Sequence, residues 1–112
     1  MTAGDFCEVI ITAPERDWLA DLCRQLVNAR LAASAHVMHP VTSIYRWEGT
    51  VHEATEARAF LRSRYAVLDD LVDYVVERHP YKVSNVTALD IVGGNPTYLA
   101  WVRAETEPDN SA

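Results

Sequence analysis

Apolar positions recur along this chain with two different periods. From Phe6 to Thr12 they run almost unbroken, Phe-Cys-Glu-Val-Ile-Ile-Thr, which predicts a strand at the centre of a sheet. Trp18, Leu19, Leu22, Cys23, Leu26 and Val27 then fall at helical spacing and predict one buried stripe. This helix is expected to open at Thr12-Ala13-Pro14-Glu15 and to end near Arg30. Thr12 or Ala13 would cap it, Pro14 suits the first turn, and Glu15 complements the helix dipole. Beyond Arg30 the period switches to two, with Leu31, Ala33, Ala35 and Val37 alternating with Ala32, Ser34 and His36. The strand is interrupted at Pro40, which lacks an N–H and predicts a bulge or an edge. It resumes over Val41 to Trp47, turns at Glu48-Gly49-Thr50, and returns as a third strand over Val51 to Arg64.

Leu68, Leu71, Val72, Val75 and Val76 predict a second helix over about Ala66 to His79, ended by Pro80. Val86 to Val92 reads as a fourth strand, and Pro96 opens a short C-terminal helix carrying Tyr98, Leu99, Trp101 and Val102. The order is βαββαβ with an added helix. That is an α+β, ferredoxin-like arrangement, with two helices on one face of an antiparallel sheet. The 112 residues suit a single domain, with a core over about 5–104 and a tail, 105–112, expected to fray.

The hairpin is long for so short a chain. A domain of this size has a diameter of roughly 35 Å, whereas a strand from Ala32 to Trp47 spans roughly 50 Å at ~3.3 Å per residue. It must bend at Pro40 or project. A projecting tip bearing Ile44, Tyr45 and Trp47 would expose aromatic surface and strand edge. Pairing with further copies of the chain covers both, so a closed homo-oligomer is expected.

Charge narrows the partners. The net charge is −6, with no Lys/Arg cluster, which argues against nucleic acid and anionic membrane surfaces. No apolar run approaches the ~20 residues of a membrane span. Met1 to Asp5 lacks a basic segment followed by an apolar one, so a cytoplasmic location is expected. Cys7 and Cys23 form no CxxC pair and read as buried, reduced thiols.

Five segments together resemble the CutA family of divalent-cation tolerance proteins. In chain order they are Ile11-Thr12-Ala13-Pro14, Arg30-Leu31-Ala32-Ala33, Val41 to Gly49 ending in Tyr-Arg-Trp-Glu-Gly, His79-Pro80-Tyr81, and Gly94 to Trp101. The resemblance covers about Val9 to Val102. It implies a ferredoxin-like fold and a homotrimer whose subunits pair edge strands. It also implies a role in the response to metal ions, with copper or another divalent cation as the candidate ligand. The chain departs from the metal-binding members. Ile11 stands where they carry a cysteine, Arg78 precedes His79 where they carry a histidine pair, and Ser34 replaces a further cysteine. A thiolate site suited to Cu(I) is therefore not supported, and His79 is left as the metal candidate.

His79 also sits at a helix end, where capping is a sufficient structural reason for it. His36 and His39 are three apart on a strand, hence on opposite faces unless a bulge at Pro40 or a subunit contact reunites them. Asp69, Asp73 and Glu77, with Asp70 alongside, make an acidic stripe that reads most simply as a solvated helix face. Tyr45, Trp47, Tyr81, Tyr98 and Trp101 lie in the family-like segments and are candidates for a trimer interface or an inter-subunit pocket for a small ligand. No nucleophile elbow, phosphate loop or dinucleotide fingerprint is present, and no enzyme activity is expected. The alternatives to a metal-tolerance protein are a PII-like regulatory trimer that binds small molecules, and a structural scaffold.

Overall fold

The computed structural model describes residues 4–108. The elements are β1 (Phe6–Ala13), α1 (Arg16–Asn28), β2 (Ser34–Trp47), β3 (Thr50–Arg64), α2 (Tyr65–Arg78), β4 (Val86–Ile91) and α3 (Pro96–Glu105). The four strands form one antiparallel sheet in the order β2-β3-β1-β4. Each helical crossover therefore skips one strand, the split βαβ pattern expected from the element order.

Strand alternation sorts the core. Cys7, Val9, Ile11 and Ala13 of β1 point the same way as Ala57, Ala59 and Leu61 of β3. They meet Leu19, Leu22, Cys23 and Leu26 of α1 and Leu71 and Val75 of α2. Phe6 points to the other side and packs with Ala33, Ile91, Leu99 and Val102. The added helix α3 thus covers the opposite face of the sheet, at the start of β1, which periodicity did not reveal.

The first helix begins later than expected. Thr12 and Ala13 stay in the ladder, paired with Arg58 and Ala57, so neither can cap α1. Pro14 ends the strand instead of opening the helix. Glu15 occupies the N-cap position with extended backbone and makes no side-chain capping bond. At the other end α1 closes with Arg30 in the left-handed region (φ 62°) and a Leu31 N–H to Leu26 C=O bond of 3.0 Å. That is the Schellman closure, made here without glycine.

The C-terminal segment is tied down beyond the expected limit. Thr106 is buried, and the Arg64 guanidinium donates to its hydroxyl at 2.7 Å and to its carbonyl at 3.0 Å. Arg30 donates to the Ala104 carbonyl at 2.6 Å and also to that of Glu107. Two cations therefore satisfy carbonyls at the negative end of α3. Of the predicted fraying tail, 109–112 lie outside the described residues.

The hairpin has both devices the sequence suggested. At its tip Trp47 pairs with Thr50, and Glu48 (φ 49°) and Gly49 (φ 83°) are both left-handed, the signature of a two-residue type I′ turn. At its root Met38 pairs with Arg58 and Val41 with Glu56, so His39 and Pro40 together face Ala57. This bulge reverses the alternation of β2. Before it Ala35 and Val37 face the helices; after it Val41, Ser43, Tyr45 and Trp47 lie on the other face, with Glu56. The molecule measures 47 × 31 × 22 Å, and its radius of gyration of 14.9 Å exceeds the ~13 Å of a compact domain this size. The long axis is close to what a strand the length of β2 spans.

Candidate functional site

His79 follows the last turn of α2 and is 9% exposed. Its Nδ1 accepts the Tyr81 backbone N–H at 3.0 Å, which places the ring hydrogen on Nε2. Nε2 donates that hydrogen to the Thr12 carbonyl at 2.7 Å. The ring stands edge-on to Trp18 and tilted against Tyr81, each at 5.3 Å between centroids. Both nitrogens are engaged, and no lone pair is left for a metal. In this fold the side chain joins α2 and the following loop to the end of β1.

The group His79 holds is Tyr81. Tyr81 lies within the electrostatic reach of the Glu56 carboxylate. Burial, and then the charge of Glu56, push the phenol above its ordinary pKa, with smaller contributions from Tyr45 and Glu15. Glu56 is only 7% exposed, although it lies on the face that α1 and α2 leave open. Four residues along β2 from its partner Val41, nearer the tip, Tyr45 stacks on His52 at 5.4 Å with the rings 16° from parallel. Thr50 hydrogen-bonds His52 Nε2 at 2.9 Å and steadies that stack. Glu56 thus lies towards the root of the hairpin and Tyr45 further out along its arm.

The remaining candidates disperse. Trp47 lies at the exposed tip. Tyr98 and Trp101 touch each other on α3 at 5.6 Å, by the start of β1 rather than its end. Within one chain only Tyr98 and Trp101 of the five aromatics pair with each other, and Tyr45 and Trp47 lie out along the arm. His36 sits in the regular ladder opposite Phe60, and His39 lies in the bulge; both are exposed. Asp69, Asp70, Asp73 and Glu77 are exposed on α2. Glu56 was not singled out from the sequence. Its one signal is a carboxylate in mid-strand next to the small, buried Ala57 and Ala59.

The residues of a single chain do not fit a resident metal. Cys7 and Cys23 are buried in the core, and burial pushes each thiol up to about 11. A thiol so placed stays protonated and is a poor ligand. Among the described residues, no three His, Cys, Asp or Glu side chains stand close enough together to hold an ion.

The family model described as CutA1 divalent ion tolerance protein matches residues 7–105. The chain belongs to this family. It is 38% identical over 100 residues to the protein CutA homolog of Xenopus laevis, covering 89% of this chain and 66% of that protein. It is 37% identical over 98 residues to the divalent-cation tolerance protein CutA of Thermus thermophilus, covering 88% of this chain and 95% of that one. It therefore spans less than two thirds of the frog relative, and 59% of the Mus musculus protein CutA. The solved divalent cation tolerance protein (Cut A1) from Thermus thermophilus superposes with a TM-score of 0.89 at 35% identity, covering 91% of this chain and 99% of that one. CutA1 from Oryza sativa gives 0.89 at 31% identity, covering 97% and 100%. The ferredoxin-like CutA fold is thus shared with these structures. No helix among the described residues is long and apolar enough to cross a membrane.

Proposed function

We propose that this chain serves in the tolerance of divalent cations as a cytoplasmic homotrimer with no catalytic reaction of its own. The observation that carries the reading is the family match over residues 7–105. The exposed hairpin arm supports the assembly. Ile44, Tyr45, Trp47 and Val51 stand open on a two-stranded ribbon, and such a ribbon is marginal in water by itself. The sheet also has two free edges, β2 and β4. A chain with two unlike edges can join copies head to tail into a closed ring. Tyr98 and Trp101 on α3 offer a second aromatic patch against which a neighbour's arm could pack. The clefts between arms and neighbours are where a small ligand would lodge.

Copper or another divalent ion remains a candidate ligand of the assembly, reached without His79. The test joins mass to phenotype. Light scattering at micromolar concentration should give three chains, and Trp47→Asp should lower the mass. In a copper-sensitive bacterial strain deleted for its own family member, the wild type should restore growth on copper and Trp47→Asp should not. A monomeric wild type would overturn the trimer. Failure of a trimeric wild type to restore growth would overturn the tolerance role.

A further inference from the structure

We infer that the groove between α1 and the edge strand β2 binds a free medium-chain carboxylate, its acyl tail in the groove and its head on Arg16 and Arg24. The groove is formed by one chain, stands apart from the hairpin arm and goes beyond the tolerance role.

The first argument is shape. Two stripes of α1 turn towards the sheet. Leu19, Leu22 and Leu26 fill the main core. Ala20, Cys23 and Val27, at i, i+3 and i+7, lie beside that stripe, on the flank where the sheet ends at β2. Opposite them stand Ala35 and Val37 of β2. Small side chains on both walls leave a groove of about 710 Å³, within the roughly 300–1,000 Å³ of small-molecule sites. No strand lies beyond β2 to close its side, and Val27 is left 37% exposed. The lining runs from Arg16 to Asn28, about 18 Å of helix. That length suits an extended acyl chain and exceeds what a short acid fills.

The second argument is charge. Arg16, Ala20 and Arg24 are each four apart, so one ridge of α1 sets the methyl of Ala20 between two guanidinium groups. Both arginines line the groove, and no carboxylate does. In a chain of net charge −6 this rim is a local reversal of sign. Arg16 pairs with Asp17 at 2.9 Å and Arg24 with Asp21, but the two arginine side chains are 54% and 69% exposed. Pairs so open to water hold weakly, and either guanidinium is free to turn to a carboxylate, which it meets with two parallel bonds. A cation is repelled by the same rim. Inorganic anions leave the apolar floor unused. A bilayer presents a broad surface, whereas this floor is recessed and the rest of the chain is acidic, so a free acid fits better than a membrane lipid.

The test is calorimetric titration of the full chain with sodium decanoate below its micelle concentration. Octanoate, acetate and decyltrimethylammonium serve as comparators, and light scattering on the same samples reports the assembly. Decanoate should bind saturably at one site per chain. Octanoate should bind about three- to tenfold more weakly, having two fewer methylenes to bury, and acetate and the cationic detergent should not bind. Arg16→Gln/Arg24→Gln should weaken decanoate about tenfold or more, through loss of charge-assisted contacts. Ala20→Leu, which fills the groove, should weaken it by a similar factor. Arg46→Gln, an exposed arginine on the arm, should leave it unchanged. Absence of saturable decanoate binding overturns the site, as does equal affinity in the double variant or equal binding of the cationic detergent. Sedimentation with phosphatidylglycerol vesicles and indifference to free decanoate would make the groove a membrane contact and overturn it too. So would an Ala20→Leu protein that folds but falls from trimer to monomer, because the groove would then be holding a neighbouring copy. Decanoate binding by a monomeric wild type would overturn the trimer and leave the site; a trimer that binds no decanoate would do the reverse.

Discussion

The His79 ring and the Thr12 carbonyl oxygen are joined by a 2.7 Å hydrogen bond that links residues 67 apart in the chain. The second ring nitrogen takes the Tyr81 N–H. One side chain therefore sets the position of the loop after α2 relative to β1, and with it the place of the Tyr81 ring. The family-like His-Pro-Tyr segment has a conformational purpose here. Proline ends the helix, histidine ties the exit to the sheet, and tyrosine is delivered beside Glu56.

His79→Ala should therefore destabilise the protein without touching metal affinity. It leaves the Thr12 carbonyl and the Tyr81 N–H without their partner and opens a gap beside Trp18. A loss of about 2–4 kcal/mol is expected. Urea unfolding at one fixed protein concentration, since an oligomer's stability depends on concentration, should show a lower midpoint with an unchanged slope. Copper titration of the two folded proteins should superimpose. A drop in copper affinity with stability intact would restore the ligand role.

Arg30 separates backbone strain from side-chain bonding. Its φ of 62° suits glycine, yet its guanidinium bonds the Ala104 and Glu107 carbonyls. Arg30→Ala loses those bonds and keeps the strained backbone. Arg30→Gly loses the same bonds but relieves the strain. The glycine variant should be the more stable of the two by about 1 kcal/mol. Thermal unfolding of both variants at equal concentration measures the difference, and an alanine variant equal to or better than glycine contradicts it.

The sheet and two helices were legible because alternation and helical spacing are local signals carried by many residues at once. The bulge at His39–Pro40 was legible for a similar reason: a missing N–H has few places in a ladder. The start of α1 misled because Pro14 suits both a helix's first turn and a strand's end. What decided it was the pairing of Thr12 with Arg58, a contact 46 residues away in sequence. The site was less legible still. The faces of Glu56 and Tyr45 and the position of Tyr81 are set by a strand register, a parity change at the bulge and a histidine bond, none of which leaves a spacing in the sequence. His79 reads as a ligand or as a cap until the partners of both its nitrogens are known.

The two thiols should bend the alkaline limb of the stability curve. Burial holds Cys7 and Cys23 up at about 11, with the Asp90 carboxylate adding to the effect at Cys7. In the unfolded chain they ionise near ~8.5. Between those values the unfolded state has shed protons that the native state retains, so stability falls as pH rises. The contribution is complete below about pH 8 and disappears as pH climbs towards about 11. Cys7→Ala/Cys23→Ala should lose less stability than the wild type between pH 8 and 10.5, when both are unfolded in urea across that range. Parallel curves for the two proteins would show that the buried thiols do not contribute this dependence.

The C-terminal helix should open before the rest of the fold when its latch is cut. Thr106 is the latch: its hydroxyl accepts from Arg64 Nε at 2.7 Å and donates to the Val102 carbonyl at 2.7 Å. Thr106→Val keeps the volume and removes the hydroxyl, leaving the buried Arg64 Nε–H without its acceptor. That costs about 1–3 kcal/mol. The loss should fall mainly on α3, which is short and seated on the small cluster of Phe6, Ala33 and Ile91 rather than on the main core. Hydrogen exchange followed by mass spectrometry should show faster exchange over Pro96–Glu105 and little change in the β1 and β3 amides. Arg64→Met tests the other partner, removing the buried charge along with its two bonds. If either substitution accelerates exchange equally across the central strands, α3 does not open by itself and the latch serves the whole domain.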